Sequence, residues 1–71
     1  MEATLNQKSV LFQTLKEDEN LSKHFIFDEA GRDNLENLTD AQCRYFHYLL
    51  FNKKYIKLNS LLTQFGFRQI K

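Results

Sequence analysis

Thr39-Asp40-Ala41-Gln42-Cys43-Arg44-Tyr45-Phe46-His47-Tyr48-Leu49-Leu50-Phe51 carries the clearest helix start in the chain and its densest run of aromatic residues. Thr39 and Gln42 stand at the spacing of a capping box. There the Thr hydroxyl accepts from the backbone three residues on, and the Gln side chain reaches back to the N–H of the cap. Asp40 adds a carboxylate beside the positive end of the helix dipole. Leu38, just before the cap, is placed to staple onto Cys43 or a neighbour. The spacing predicts a helix starting at Asp40 and running to about Asn52.

At 100° per residue the apolar positions of this helix fall on two faces. Tyr45, Phe46, Leu49 and Leu50, with Cys43 at the margin, form a stripe suited to a core. Arg44, His47, Tyr48 and Phe51 fall at i, i+3, i+4 and i+7 on the other side. A helix apolar nearly all round is buried on both sides or uses the second face for a partner. Tyr48 and Phe51 therefore either pack beneath a terminal segment, leaving Arg44 and His47 as a solvated edge, or form a docking surface.

Working outward, Thr4 and Gln7 repeat the capping-box spacing. Leu5, Lys8, Leu11, Phe12 and Leu15 follow on one face, with Val10 off the stripe, predicting a helix over 5–17. Met1 to Ala3 are expected to fray. The acids Glu17-Asp18-Glu19 lie at the unfavourable end of that helix dipole. Asn20 is a candidate cap for a short segment over 21–27, ambiguous between helix and strand and packed through Phe25 and Phe27. Gly31, Asp33 and Asn34 mark a turn, with one helical turn over Leu35 and Leu38 leading to Thr39. After a polar break at Asn52-Lys53-Lys54, Tyr55, Ile56 and Leu58 return to the core. Leu58, Leu61, Leu62 and Phe65 share one face, and Gly66 stands as the left-handed residue that ends a helix over 56–65, with Phe67 covering its end. The expected fold is all-α: one small compact domain over 1–71, with three main helices and one ambiguous short segment.

Composition supports helix. The chain has 71 residues, no proline and only two glycines. A chain this short buries only about 60% of its unfolded surface, and its ten aromatics supply large apolar side chains for a thin core. One cysteine permits no internal disulfide, and no signal-like or span-length apolar run is visible, so a reducing cytoplasm is the expected location. The net charge of +1 hides a division. Residues 1–40 carry four basic and nine acidic side chains; residues 41–71 carry six basic and no acidic ones. Such asymmetry points to nucleic acid, or to attraction between the two halves within one chain or across a dimer.

The basic half offers two overlapping sets of candidate residues. Arg44, Lys53, Lys54, Lys57, Arg68 and Lys71 are placed to neutralise phosphates, and Asn59, Thr63 and Gln64 to read bases from an outward helix face. Arg44, His47, Tyr48, Phe51 and Tyr55 form the alternative set, aromatic anchors for a protein partner or a second copy. Two helices joined by a short polar turn suggest a helix-turn-helix unit. Gln64-Phe65-Gly66-Phe67-Arg68 resembles the end of the recognition helix in heat-shock-factor DNA-binding domains. The likeness spans those residues alone: Ser60 stands where that family has its base-contacting arginine, and no wing strands follow.

Cys43 and His47, at i and i+4, can meet on one face, but a structural zinc site needs two more ligands. A cysteine nucleophile needs oxyanion donors and a cleft as well. Asp28, Glu29, Asp33, Glu36 and Asp40 crowd around a turn without the ligand order of an EF-hand loop. No cofactor, metal, membrane or small-molecule substrate is expected, and no enzymatic activity. The leading expectation is a small regulatory protein docking its basic, aromatic half onto nucleic acid. The alternative is a protein-interaction module: an inhibitor, an adaptor or a self-associating subunit.

Overall fold

Both capping boxes form. Thr39 Oγ1 accepts from Gln42 N–H at 3.1 Å while Thr39 N–H donates to Gln42 Oε1 at 2.9 Å. Thr4 and Gln7 repeat the exchange. In this computed structural model, which describes residues 1–70, the caps open two of the five helices found among the described residues. These are α1 (Leu5–Glu17), α2 (Glu19–Ser22), α3 (Glu29–Arg32), α4 (Asp40–Phe51) and α5 (Tyr55–Phe65), with a 3-10 turn at Asp33–Leu35. The domain is mostly helical, as expected, but three main helices undercount it. Two single-turn helices join the long ones.

Asp18 explains one of the additions. Its backbone N–H donates to Leu15 O, closing α1, while its Oδ1 accepts from Leu21 N–H at 3.0 Å and caps α2. Asp18, rather than Asn20, is therefore the cap. The acids that looked misplaced at the end of one helix serve the start of the next. In the same way Asp28 Oδ1 accepts from Gly31 N–H at 2.8 Å, so the expected turn at Gly31 is helix α3. The ambiguous stretch over 21–27 is divided: α2 ends at Ser22, Lys23 and His24 form a turn, and Phe25 then makes an isolated antiparallel bridge with Gln69.

α4 packs against both α1 and α5, and α2 closes against the same two helices. Phe46 is fully buried at the centre and meets Phe65 edge-on at 5.3 Å. Phe27 is the hub of a second aromatic group, 6.2 Å from Phe12, 6.4 Å from Phe25 and 5.5 Å from Phe67. α5 ends as expected: Gly66 has φ 101°, Phe67 N–H donates to Leu62 O, and the Phe67 ring is buried.

Four expectations are corrected. Met1 to Ala3 are tied down, since Ala3 N–H donates to Leu38 O and Asp40 N–H donates to Met1 O, both at 2.9 Å. Leu5 is exposed, not part of the α1 core stripe, which is Leu11, Phe12 and Leu15. Tyr45 is 43% exposed and Ile56 is 88% exposed, although both were expected in the core. The physical reason is angular. Ile56 lies roughly 160° round the helix from Leu58 at 100° per residue, and Tyr45 lies further from the centre of the buried stripe than His47 does.

Candidate interaction surface at the turn between α4 and α5

The turn is built by a Schellman exchange. Lys54 N–H donates to Leu49 O at 2.9 Å and Lys53 N–H to Leu50 O at 3.2 Å, which requires Lys53 to adopt φ 55°. A non-glycine residue is held left-handed here, and its side chain is thrown outward. Lys54 then begins α5 without a side-chain cap, and the first turn of α5 holds no acid. In the other four helices Thr4, Asp18, Asp28 or Thr39 fills that role.

Apolar side chains stand exposed around this corner. Phe51, the last residue of α4, is 86% exposed, and Ile56 projects from the first turn of α5. Tyr48 is 57% exposed and stacks on Tyr45 at 6.4 Å with the rings 13° apart. Of the two outcomes open for Tyr48 and Phe51, burial beneath a terminal segment is therefore ruled out. His47 is half-buried and lines a shallow groove of about 430 Å³ together with Thr14, Asp18, Leu50, Phe51 and Lys53. A second groove, about 450 Å³, runs over Lys53, Lys54, Tyr55, Ile56 and Lys57. A third, of about 230 Å³, joins Tyr45 to Lys57, Ser60, Leu61 and Gln64. Lys53 borders the first two grooves and Lys57 the second and third, so the three lie next to one another around the corner.

The basic residues divide into two groups. Arg44 is paired with Asp40 at 2.8 Å and Arg68 with Asp28 at 3.2 Å. Lys53, Lys54 and Lys57 are exposed and make no ion pair among the described residues. Lys71 lies outside the described residues. Tyr55 is half-buried against the core, and its hydroxyl donates to Asp18 Oδ2 at 2.8 Å, fastening the start of α5 to the α1–α2 junction. Asn59 is half-buried and its carbonyl accepts from Thr63 Oγ1 at 2.8 Å, while Gln64 remains exposed on the third groove. The structure thus brings Phe51, Lys53, Lys54 and Lys57 together, and leaves Arg44 and Arg68 in local pairs.

Ile56, Tyr45 and the groove residues Thr14 and Asp18 were missed from sequence. For the first two the signal was present in the angular position; for Thr14 and Asp18 there was none, because α1 meets α4 only through tertiary packing. Cys43 is buried, with Sγ 3.9 Å from Gln7 O. Burial pushes its thiol pKa up, and the Asp40 carboxylate adds to the rise. Among the described residues no group of three or more His, Cys, Asp or Glu side chains is placed to hold a metal ion, and no helix is long and apolar enough to cross a membrane. No protein-family model, curated protein or solved structure matches the chain.

Proposed function

We propose that this chain is a non-enzymatic protein-interaction module that binds its partner through the corner between α4 and α5. The observation that carries this is the exposure of Phe51 and Ile56 at the two ends of the turn, where Phe51 shares a groove with Lys53 and Ile56 shares one with Lys53, Lys54 and Lys57, three lysines without an ion pair among the described residues. Isolated exposed apolar residues are ordinary, but a continuous apolar patch rimmed by charge is the usual composition of an interface. Fully burying a Phe or Ile side chain is worth about 1.5–3 kcal/mol, so two such anchors supply the centre of a binding site, with lysines setting its charge preference. Phe51, Ile56 and Tyr48 are the anchors. Lys53, Lys54 and Lys57 select an acidic counterpart.

One observation favours the second function, docking onto nucleic acid. The same three lysines stand at the start of α5, which has no side-chain cap and no acid in its first turn, a combination that suits a phosphate. Against it, Arg44 and Arg68 are already paired, and a neighbouring acidic half would repel the strand.

The two are separated by placing a photo-crosslinking residue, p-benzoylphenylalanine, at position 51 and testing the purified chain against random duplex and single-stranded oligonucleotides at low and moderate salt. Cross-linking of position 51 to protein, with no oligonucleotide binding, is the expected outcome. Salt-sensitive oligonucleotide binding lost in a Lys53→Glu/Lys54→Glu/Lys57→Glu variant would overturn it in favour of nucleic acid.

A further inference from the structure

The groove beside Phe51 has opposite charges on its two sides. Asp18 lines it from the end of α1 and Lys53 from the turn after α4, with Phe51 and Leu50 in the same lining. On either side of Asp18 in sequence, Glu17 and Glu19 are exposed. Glu17 accepts only from the side-chain amide of Gln13, at 3.0 Å, and Glu19 has a single distant ion pair with Lys23, at 3.9 Å. Lys53 and Lys54 are unpaired within the described chain, even though the Tyr55–Asp18 hydrogen bond holds the two charged segments next to each other.

An apolar centre with acids on one side and lysines on the other is self-complementary under a twofold rotation. Turning a second copy about an axis through the centre lays its lysines over the first copy's glutamates, and the reverse, in one operation. An unrelated partner would need its own matching arrangement of both signs. We infer that the partner of this surface is a second copy of the chain: a twofold dimer in which Phe51 of each copy enters the groove between α1 and α4 of the other, with Glu17 and Glu19 facing Lys53 and Lys54 across the interface. This rests on the proposed protein-interaction function and names its occupant. It also gives a thin-cored domain more apolar surface to bury.

Sedimentation equilibrium of the full chain tests it. The expected result is a concentration-dependent dimer that weakens several-fold between low and moderate salt. Phe51→Ser, Lys53→Glu/Lys54→Glu and Glu17→Lys/Glu19→Lys should each give monomers with the long helices intact by circular dichroism, because all five side chains are exposed and only the four-residue α2 loses its first-turn acid. Mixing the two charge-reversed variants should restore a dimer, since each then carries the sign the other needs at both contacts. A monomer at millimolar concentration and low salt overturns the inference. So does a wild-type dimer whose charge-reversed variants still associate alone or fail to associate when mixed. If position 51 then cross-links to a different protein, the interaction function stands and only the second copy falls; if it cross-links to no protein, both fall.

Discussion

Lys53 is the residue at which local conformation and surface chemistry meet. Its φ of 55° places a branched-at-nothing but Cβ-bearing side chain in the left-handed region, which costs an L-residue roughly 1–2 kcal/mol. Glycine avoids that steric cost but loses more backbone entropy on folding. Lys53→Gly is therefore expected to stabilise the chain by about 0.5–1 kcal/mol in urea denaturation, while weakening partner binding through the lost charge. A destabilised variant would show that the lysine side chain contributes to the fold. Cys43 illustrates the opposite case, a reactive group kept inert. Its folded thiol ionises at a higher pH than in the unfolded chain, chiefly because burial disfavours the thiolate. As pH rises through roughly 8.5, the unfolded thiol loses its proton first, so the stability contributed by this group falls. The fall should be shallower in Cys43→Ala. The native chain should also react slowly with a thiol reagent, at a rate that rises with urea as the core opens.

Among the elements, the α1–α2 junction does the most with one side chain. Asp18 caps α2 through Oδ1 and receives the Tyr55 hydroxyl through Oδ2, so a single carboxylate joins α2 to α5 while the same residue's backbone N–H closes α1. Tyr55→Phe removes the second bond alone and should cost about 1 kcal/mol. Asp18→Ala removes the cap as well and should cost about 2 kcal/mol. Urea melts of both variants measure the difference; equal costs would mean that the cap contributes nothing. The central helix has its own cap, and Thr39→Ala should lower stability by about 1 kcal/mol. At 12 residues α4 is too short to be stable alone in water. Its cap defines where it starts, but packing against α1 and α5 keeps it formed.

For the whole molecule, the contrast between two phenylalanines of α4 separates stability from function. Phe46 is fully buried and Phe51 is almost free of the fold. Phe46→Ala should cost about 3–5 kcal/mol, a large share of the roughly 5–15 kcal/mol that holds a domain folded. Phe51→Ala should change stability by less than about 0.5 kcal/mol yet abolish partner binding. Thermal melts and the binding assay read the two effects separately. A large loss of stability in Phe51→Ala would put that ring in the core. The molecule spans 34 × 27 × 20 Å, and its acidic and basic halves meet through the Arg68–Asp28 pair and the Tyr55–Asp18 bond rather than lying at opposite ends.

Sequence by itself determined the long helices, because their signals are local. A capping box needs four residues, and an apolar stripe needs only the helical repeat. Hence α1 appears at the expected residues, α4 and α5 differ by one residue at an end, and the left-handed Gly66 closes α5. The Schellman contact of Phe67 and the burial of Phe25 and Phe27 were legible for the same reason. Tertiary structure alone decided the rest. The pinned N-terminus depends on Leu38 and Asp40, far along the chain, and the Phe25 bridge depends on Gln69. The exposure of Phe51 depends on no described segment crossing it, which no local pattern encodes. Which lysines remain unpaired was likewise undecided until the fold placed Asp28 beside Arg68 and left Lys53, Lys54 and Lys57 facing solvent. Helix signals act over a few covalent neighbours, whereas a surface is whatever long-range packing leaves uncovered.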